Sequence, residues 1–251
     1  INNIIKLDTE NNEKVIQVVS IEDDVISASD DYQLVLATKK GMIKRTNFGL
    51  FNPSISRTVK AISLTENDEV AFFGVNKVQD VITLASSNNR VIRFTLSEVR
   101  ETSRLSQGVM AMNLSKDQYI VSCSIIKSEM IESAIIGFVS KSGILKISKL
   151  EHYRQTKRKT KGVTAMKLVE NDQILSAFTL DESDLNNLDV VSTSKNGKMN
   201  RINLGNFRVM NRMTKGVRLV KFREKDELVS AYLSRKEDNS ENEIEPTPEN
   251  M

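Results

Sequence analysis

The run HYRQTKRKTKGVTAMKL, residues 152–168, sets five cations, Arg154, Lys157, Arg158, Lys159 and Lys161, just ahead of a glycine and an apolar alternation. Guanidinium and ammonium groups at this density are suited to holding anions, above all the phosphates of a polyanion. Residues for other chemistries are scarce. The chain has one histidine, His152, and one cysteine, Cys123. A nucleophile–base triad would have to use His152, which sits at the edge of this charged loop and is expected in solvent. A zinc site of the usual kind needs more His and Cys than the chain contains. Cys123, inside the apolar IVSCSII, reads as a small core residue. Glu22, Asp23 and Asp24 are close enough to pair as carboxylates, but a polar turn is the simpler reading.

The elements that must position these cations repeat along the chain. The string GVTAMKL at 162–168 has counterparts in TVKAISL at 58–64, GVMAMNL at 108–114 and GVRLVKF at 216–222; the aligned valines are 50, 54 and 54 residues apart. Each string leads to a polar turn with an aspartate (Asp68, Asp117, Asp172, Asp226) and then to an apolar segment: VAFFGV, IVSCSII, ILSAFTL, LVSAYL. Upstream lie LVLAT, VITLAS, IIGFVS and DVVSTS, each followed by a small turn and a segment with a basic residue: GMIKR, NRVIRF, GILKIS, GKMNRI. Period-2 alternation, Val and Ile enrichment and flanking turn residues predict four short strands per unit. Only Leu96–Leu105 has a partly helical pattern.

Four-stranded units at this period predict an all-β, propeller-like β-pinwheel of about five blades, with one edge of the ring left open as an option. Residues 1–31 would hold a partial first blade, 32–234 the four repeated blades and 235–251 a disordered acidic tail. A β-sandwich is the structural alternative. The tail from Glu237 to Met251 has six carboxylates and no Lys or Arg, so it masks a basic body behind a net charge of only +3. It would either compete with a polyanion for the basic surface or keep a basic protein soluble. The single cysteine excludes an intrachain disulfide and fits an intracellular setting. No run of 18 apolar residues exists, which fits a soluble chain without a membrane anchor. The chain opens without an initiator methionine and is expected to be a fragment of a longer protein.

Aligning the units turns scattered charge into geometry. The connection before each valine string has four basic and no acidic residues from Lys44 to Lys60, and three basic and two acidic from Arg93 to Val109. It has seven basic and one acidic from Lys146 to Lys161, and seven basic and none acidic from Lys195 to Arg218. Equivalent loops of a ring face the same way, so the four predict one positive belt, with weaker or negative charge on the opposite face. The candidate DNA-binding residues are Lys44, Arg45, Arg57, Lys60, Arg93, Arg104, Lys146, Arg154, Lys157, Arg158, Lys159, Lys161, Lys198, Arg201, Arg208, Arg212, Lys215 and Arg218. Such a belt follows a phosphate backbone by shape and counterion release; no helix is a candidate for reading the major groove. The two later loops, being most basic, are expected to grip hardest. Gly108, Gly162 and Gly216 either supply a positive-φ turn or let a phosphate approach the backbone.

The pattern resembles the C-terminal β-pinwheel of type IIA topoisomerase A subunits, those of gyrase and topoisomerase IV. ATKKGMIKRT, SKSGILKIS and STSKNGKMNRI are similar to that family's T-x-x-G-x-x-K-[KR] turn, and RLSQGVMAMNL, KRKTKGVTAMKL and RMTKGVRLVKF to its G-V-x-A-[IM]-x-L strand. The resemblance covers about residues 15–235 in four copies. Thr58 replaces the repeat glycine, and Arg90 stands where other units have Gly41, Gly143 and Gly197. The gyrase box Q-R-R-G-G-[KR]-G is missing; Ser106-Gln107-Gly108 and Thr160-Lys161-Gly162 are the nearest, degenerate strings. That favours the ParC-type subunit of topoisomerase IV over a gyrase wrapping domain.

The resemblance implies a non-catalytic domain that binds and bends double-stranded DNA on its outer rim and guides the transported duplex for supercoil relaxation and decatenation in chromosome segregation. Its implied partners are the ATPase B subunit of the enzyme and the remainder of the A subunit. ATP and Mg2+ belong to the whole enzyme, with no cofactor or metal in this domain. The implied setting is bacterial, cytoplasmic and nucleoid-associated, with peripheral membrane attachment as a further option. The family's cleavage tyrosine lies in another part of the enzyme. Tyr32, Tyr119, Tyr153 and Tyr232 lack its surroundings, and Tyr32, Tyr119 and Tyr232 read as core or strand-edge packing. The rival classes are an independent enzyme on a propeller and a protein-binding propeller scaffold.

Overall fold

The computed structural model describes residues 13–51, 59–222 and 226–236. The first unit supplies β1 (Gln33–Thr38), β2 (Met42–Asn47) and β3 (Val70–Asn76). The second supplies β4 (Val81–Ser86), β5 (Arg90–Thr95), the two-residue β6 (Val109–Met110) and β7 (Ile120–Ile126). The third supplies β8 (Ala134–Ser140), β9 (Ile144–Lys149), β10 (Val163–Thr164) and β11 (Ile174–Asp181). The fourth supplies β12 (Leu188–Ser194), β13 (Met199–Asn203), β14 (Val217–Arg218) and β15 (Leu228–Arg235).

Each later unit contributes three strands to its own blade and one to the blade before it. The sheets run β3-β1-β2-β6, β7-β4-β5-β10, β11-β8-β9-β14 and β15-β12-β13, with every neighbouring pair antiparallel. The valine string of one unit therefore seals the outer edge of the preceding sheet. The fourth sheet has no such strand among the described residues. Its Met199 is 69% exposed, whereas the equivalent Ile43, Val91 and Leu145 are buried. The string of the first unit, residues 59–64, forms no strand. Among the described residues, four sheets thus stand where about five were expected. In the expected partial blade, the described residues 13–31 hold the short helix α1 (Asp23–Ser27) and a 3-10 turn, with no strand. Gln17 from this segment exchanges two side-chain hydrogen bonds with the Phe73 backbone on β3. The acidic tail from Glu237 onward lies outside the described residues. The helical expectation for Leu96–Leu105 reduces to a 3-10 turn at Leu96–Glu98.

Position within the blade explains the strand sequences. β1, β4 and β8 lie between neighbouring strands with both faces covered, so they are continuous apolar runs, buried along their length. β3, β7, β11 and β15 form the inner edges and pack on one another in that order, so they are only partly buried. The core lies between blades. Val35, Ile43, Leu84, Phe94 and Met112 fill the first layer, and Ile136, Phe138, Leu150, Tyr153 and Met166 the second. Leu145, Ile147, Val190, Leu204 and Leu219 fill the third. Each such side chain contributes about 1.5–3 kcal/mol on burial.

The repeated aspartates build the fold. Asp68, Asp172 and Asp226 accept the backbone N–H of Lys40, Ser142 and Asn196 at 2.9, 3.1 and 3.3 Å, docking each polar turn on the hairpin turn of its own blade. The second unit departs from this pattern twice. Asp117 takes the left-handed position of Asn67 and Asn171, and Gln118 follows where the others have the docking aspartate. In its hairpin, Asn89 adopts φ +63° where Gly41, Gly143 and Gly197 have φ of +81°, +82° and +78°. Asn89 is therefore the counterpart of the glycines, which corrects the alignment of Arg90 with them by one residue. Asn tolerates this region better than other side-chain-bearing residues.

Candidate nucleic-acid interface

The basic loops are mounted on the outer rim by a repeated set of backbone bonds. Thr102, Thr156 and Met210 donate to the carbonyls of Arg45, Arg93 and Ile147 at 3.0, 2.7 and 2.8 Å. Ala111, Ala165 and Leu219 then donate to Gly41, Asn89 and Gly143. Each loop thus lies across the outer edge of the preceding blade. The loops are also linked to one another: Ser63, Asn113 and Lys167 donate to the carbonyls of Ser106, Thr160 and Thr214. The rim is a continuous hydrogen-bonded chain from the first unit to the fourth.

This register reassigns the glycines. Gly108, Gly162 and Gly216 have φ of +84°, +73° and +83°. A Cβ on Gly108 or Gly162 would collide with the carbonyl of Ile43 or Val91, and on Gly216 it would fall 2.6 Å from the carbonyl of Leu145. The close approach these glycines permit is therefore to the backbone of the preceding blade, and it allows the strand exchange.

The candidate cations separate into three groups. Lys44 and Lys146 are fully buried, contrary to their expected place in the belt. The Lys44 ammonium donates to the carbonyls of Ala61, at 2.5 Å, and Arg104. That of Lys146 donates to the Tyr153 hydroxyl and the Ala165 carbonyl, both at 3.2 Å, and to the Arg212 carbonyl. Burial, reinforced by Arg104 in one case and Arg212 in the other, pushes each lysine down to about 8. They peg the exchanged loops to the blades and are not available to a ligand.

A second group is engaged in the protein. Arg45 donates to Val99 O and Gln33 and faces Glu101 at 3.4 Å. Arg93 donates to Leu150 O at 3.1 Å, and its burial lowers its pKa. Arg201 pairs with Asp189 at 2.7 Å. Arg158 and Arg212 hold equivalent carbonyls, those of Met110 and Thr164, at 3.0 and 3.1 Å.

The third group faces solvent: Lys60, Arg104, Arg154, Lys157, Lys159, Lys161, Lys198, Arg208, Lys215 and Arg218. Arg57 lies outside the described residues. Sequence reasoning missed Arg100. Register places it with Arg154 and Arg208, each two residues before the loop-mounting donor, and all three are exposed. The 54-residue spacing of these arginines was the available signal. Carboxylates occupy turns at both strand ends: Asp30, Asp31, Glu129, Glu132 and Glu182 at one end, and Glu66, Glu170 and Glu227 beside the hairpin turns at the other, all of them exposed.

The other singled-out residues sit as follows. His152 is half-buried rather than solvated, with Nδ1 buried and lacking a hydrogen-bond partner among the described residues. The fully buried tyrosine is Tyr153, in a loop, whereas Tyr119 and Tyr232 are exposed. Tyr32 lies beneath the Lys77 ammonium, 5.4 Å from its ring centre. Cys123 packs on the first core layer, and burial pushes its thiol up. Asp24 accepts the Val25 N–H at 2.8 Å, so the Glu22–Asp24 cluster serves a local turn. No group of three or more His, Cys, Asp or Glu among the described residues is placed to hold a metal. No helix among them is long and apolar enough to cross a membrane.

Comparison with known proteins gives a consistent result. The family model described as DNA gyrase C-terminal domain, beta-propeller, matches residues 32–77, 80–127, 138–181 and 188–235. The A subunit of DNA gyrase from Helicobacter pylori (strain J99 / ATCC 700824) is 32% identical over 92% of this chain, which covers 27% of that protein. The chain thus spans about a quarter of the length of the curated relatives it matches. Among solved structures, the C-terminal domain of DNA topoisomerase IV superposes with a TM-score of 0.80 at 21% identity, over 93% of this chain and 69% of that one. The DNA gyrase A C-terminal domain gives 0.72 at 22% identity, over 92% and 73%.

Proposed function

The chain belongs to the DNA gyrase C-terminal domain family, the β-pinwheel of type IIA topoisomerase A subunits, and from that premise we propose that it binds and bends duplex DNA around its outer rim. The observation that carries this reading is the hydrogen-bonded chain of exchanged loops, which presents exposed cations from every unit, with Arg100, Arg154 and Arg208 of the later three in one register. Bending a 20–30 base-pair site by 40–90° costs about 1–6 kcal/mol, which several phosphate contacts offset. As the C-terminal domain of such a subunit, it acts in this reading by positioning DNA for the rest of the enzyme: the remainder of the A subunit, with its ATP- and Mg2+-dependent B subunit.

Within the family, the topoisomerase IV role of guiding the transported duplex for relaxation and decatenation draws support from the lack of a Q-R-R-G-G-[KR]-G string. The nearest strings to it end at Gly108 and Gly162, which are committed to strand exchange. The gyrase role draws support from the curated relatives, whose names are those of gyrase A subunits. Two measurements test the proposal. Affinity for a random-sequence duplex falls steeply as salt rises; no binding even at low salt overturns DNA binding. Nicked circles ligated in the presence of the chain keep the linking number of circles ligated alone. A reproducible change in one direction overturns the topoisomerase IV assignment in favour of chiral wrapping.

A further inference from the structure

Of the three clefts described, one lies on the rim. It encloses about 570 Å3 and is lined by Met42, Arg100, Gly108, Val109, Met110, Arg158 and Lys159. Three of these residues are cations and none is an acid. The other two clefts each carry four carboxylates: Glu22, Asp24, Asp80 and Glu129 in one, Glu170, Asp172, Asp226 and Glu227 in the other. The rim cleft lies where the loop of the third unit crosses the strand that the second unit lends to the first blade. Its cations therefore come from two different units.

We propose that this notch is a phosphate cradle, with Arg100, Arg158 and Lys159 holding a backbone phosphodiester of the bound duplex; this rests on the DNA-binding reading above. Arg158 donates Nε to the Glu98 carbonyl at 2.9 Å and Nη1 to the Met110 carbonyl at 3.0 Å. Those bonds fix the guanidinium plane and leave Nη2 for a ligand. Arg100 and Lys159 are exposed, and their side chains make no hydrogen bond or ion pair with the described residues. Lys159 adopts φ +67°, a left-handed conformation that costs a lysine energy. The same notch one unit on, by register, has Arg154 for Arg100, Arg212 for Arg158 and Met213 for Lys159. It thus lacks one ammonium. The strongest grip on the rim accordingly lies between the second and third loops rather than between the third and fourth. Arg100, from the least basic loop, is part of it.

The test is a salt-resolved titration of the 251-residue chain with random-sequence duplex DNA. R100A and K159A are each expected to weaken binding roughly three- to tenfold and to lower the salt slope by about 1, alike for all sequences. M213K, which supplies the missing ammonium at the next notch, is expected to raise both affinity and slope. K127A, an exposed lysine lining an acidic cleft, serves as the control and leaves affinity unchanged. If R100A and K159A bind like the parent chain while its steep salt dependence persists, the cradle is wrong and rim binding stands. If the parent chain binds no duplex at low salt, rim binding itself is wrong and the cradle falls with it.

Discussion

Lys146 and Lys161 are 15 residues apart in one basic run, yet they serve different ends. Lys146 is fully enclosed and holds three oxygens from its own loop and the next; Lys161 stands in solvent on the rim. Lys44 repeats the role of Lys146 two blades earlier. At the same register position the second blade has Ile92 and the fourth Asn200. A position that accepts a lysine or an isoleucine is a core position, and the lysine there substitutes polar pegging of the loops for apolar packing. Charge on this rim thus has two meanings: some cations, such as Lys44 and Lys146, assemble it, others are presented by it, and Arg158 does both.

The largest effects should come from breaking the assembly. Lys146→Met takes the lysine's hydrogen bond from the Arg212 carbonyl, leaves Ala165 O only the Tyr153 hydroxyl, and is expected to cost about 3 kcal/mol of stability by denaturant unfolding. Duplex affinity per folded molecule should hold. A collapse of affinity at unchanged stability would place Lys146 in the binding surface instead. Gly162→Ala sets a Cβ against the Val91 carbonyl at positive φ, and about 3 kcal/mol is again expected from clash and strain together. Gly197→Ala has the same strain but open space around it, so about 1 kcal/mol suffices. Equal losses at the two glycines would refute the strand-exchange role of Gly162.

Breaking the presented set should reverse the pattern. Replacing Arg154, Lys157, Lys159 and Lys161 together by alanine is expected to reduce duplex affinity on the order of 100-fold at moderate salt. Stability should stay within about 0.5 kcal/mol of the parent. A subtler contrast lies in pH. The folded chain holds Lys44 and Lys146 at about 8, below their ordinary 10.5, so between those values the unfolded state binds more protons. Stability should therefore rise with pH across that window, and less so in Lys44→Met. A fall in stability across that window would mean the ammonium groups are stabilised where they lie, and an equal rise in Lys44→Met would mean Lys44 does not drive it. The smallest effect is expected at Asn89. Its side chain exchanges hydrogen bonds with Met166, donating at 2.8 Å and accepting at 3.1 Å, while its backbone bears left-handed strain. Asn89→Gly trades one against the other, for a net loss below about 1 kcal/mol by thermal melting.

How far the site was legible follows from the same division. Periodicity exposed the strands because a strand enclosed on both faces must be apolar throughout. The repeat exposed the loops because three of the four end in the same glycine–valine pair. The role of the second loop was hidden by counting charges. Glu98 and Glu101 offset Arg93, Arg100 and Arg104 in a sum, although Glu101 is spent on Arg45 and Arg93 on a carbonyl, leaving Arg100 free on the rim. The one-residue slip at Arg90 arose because an asparagine occupies the backbone conformation that glycine marks elsewhere.

The sequence by itself determined that this is a repeated all-β chain with a basic connection in every unit. Hydrophobic period and turn chemistry are local, and a repeat makes local patterns add. Only the tertiary structure decided which blade each string completes, which lysines are enclosed, and which cations from different units meet in one notch. Those facts depend on strand exchange between neighbours, and a strand's partner lies across space, where a reading along the chain does not reach.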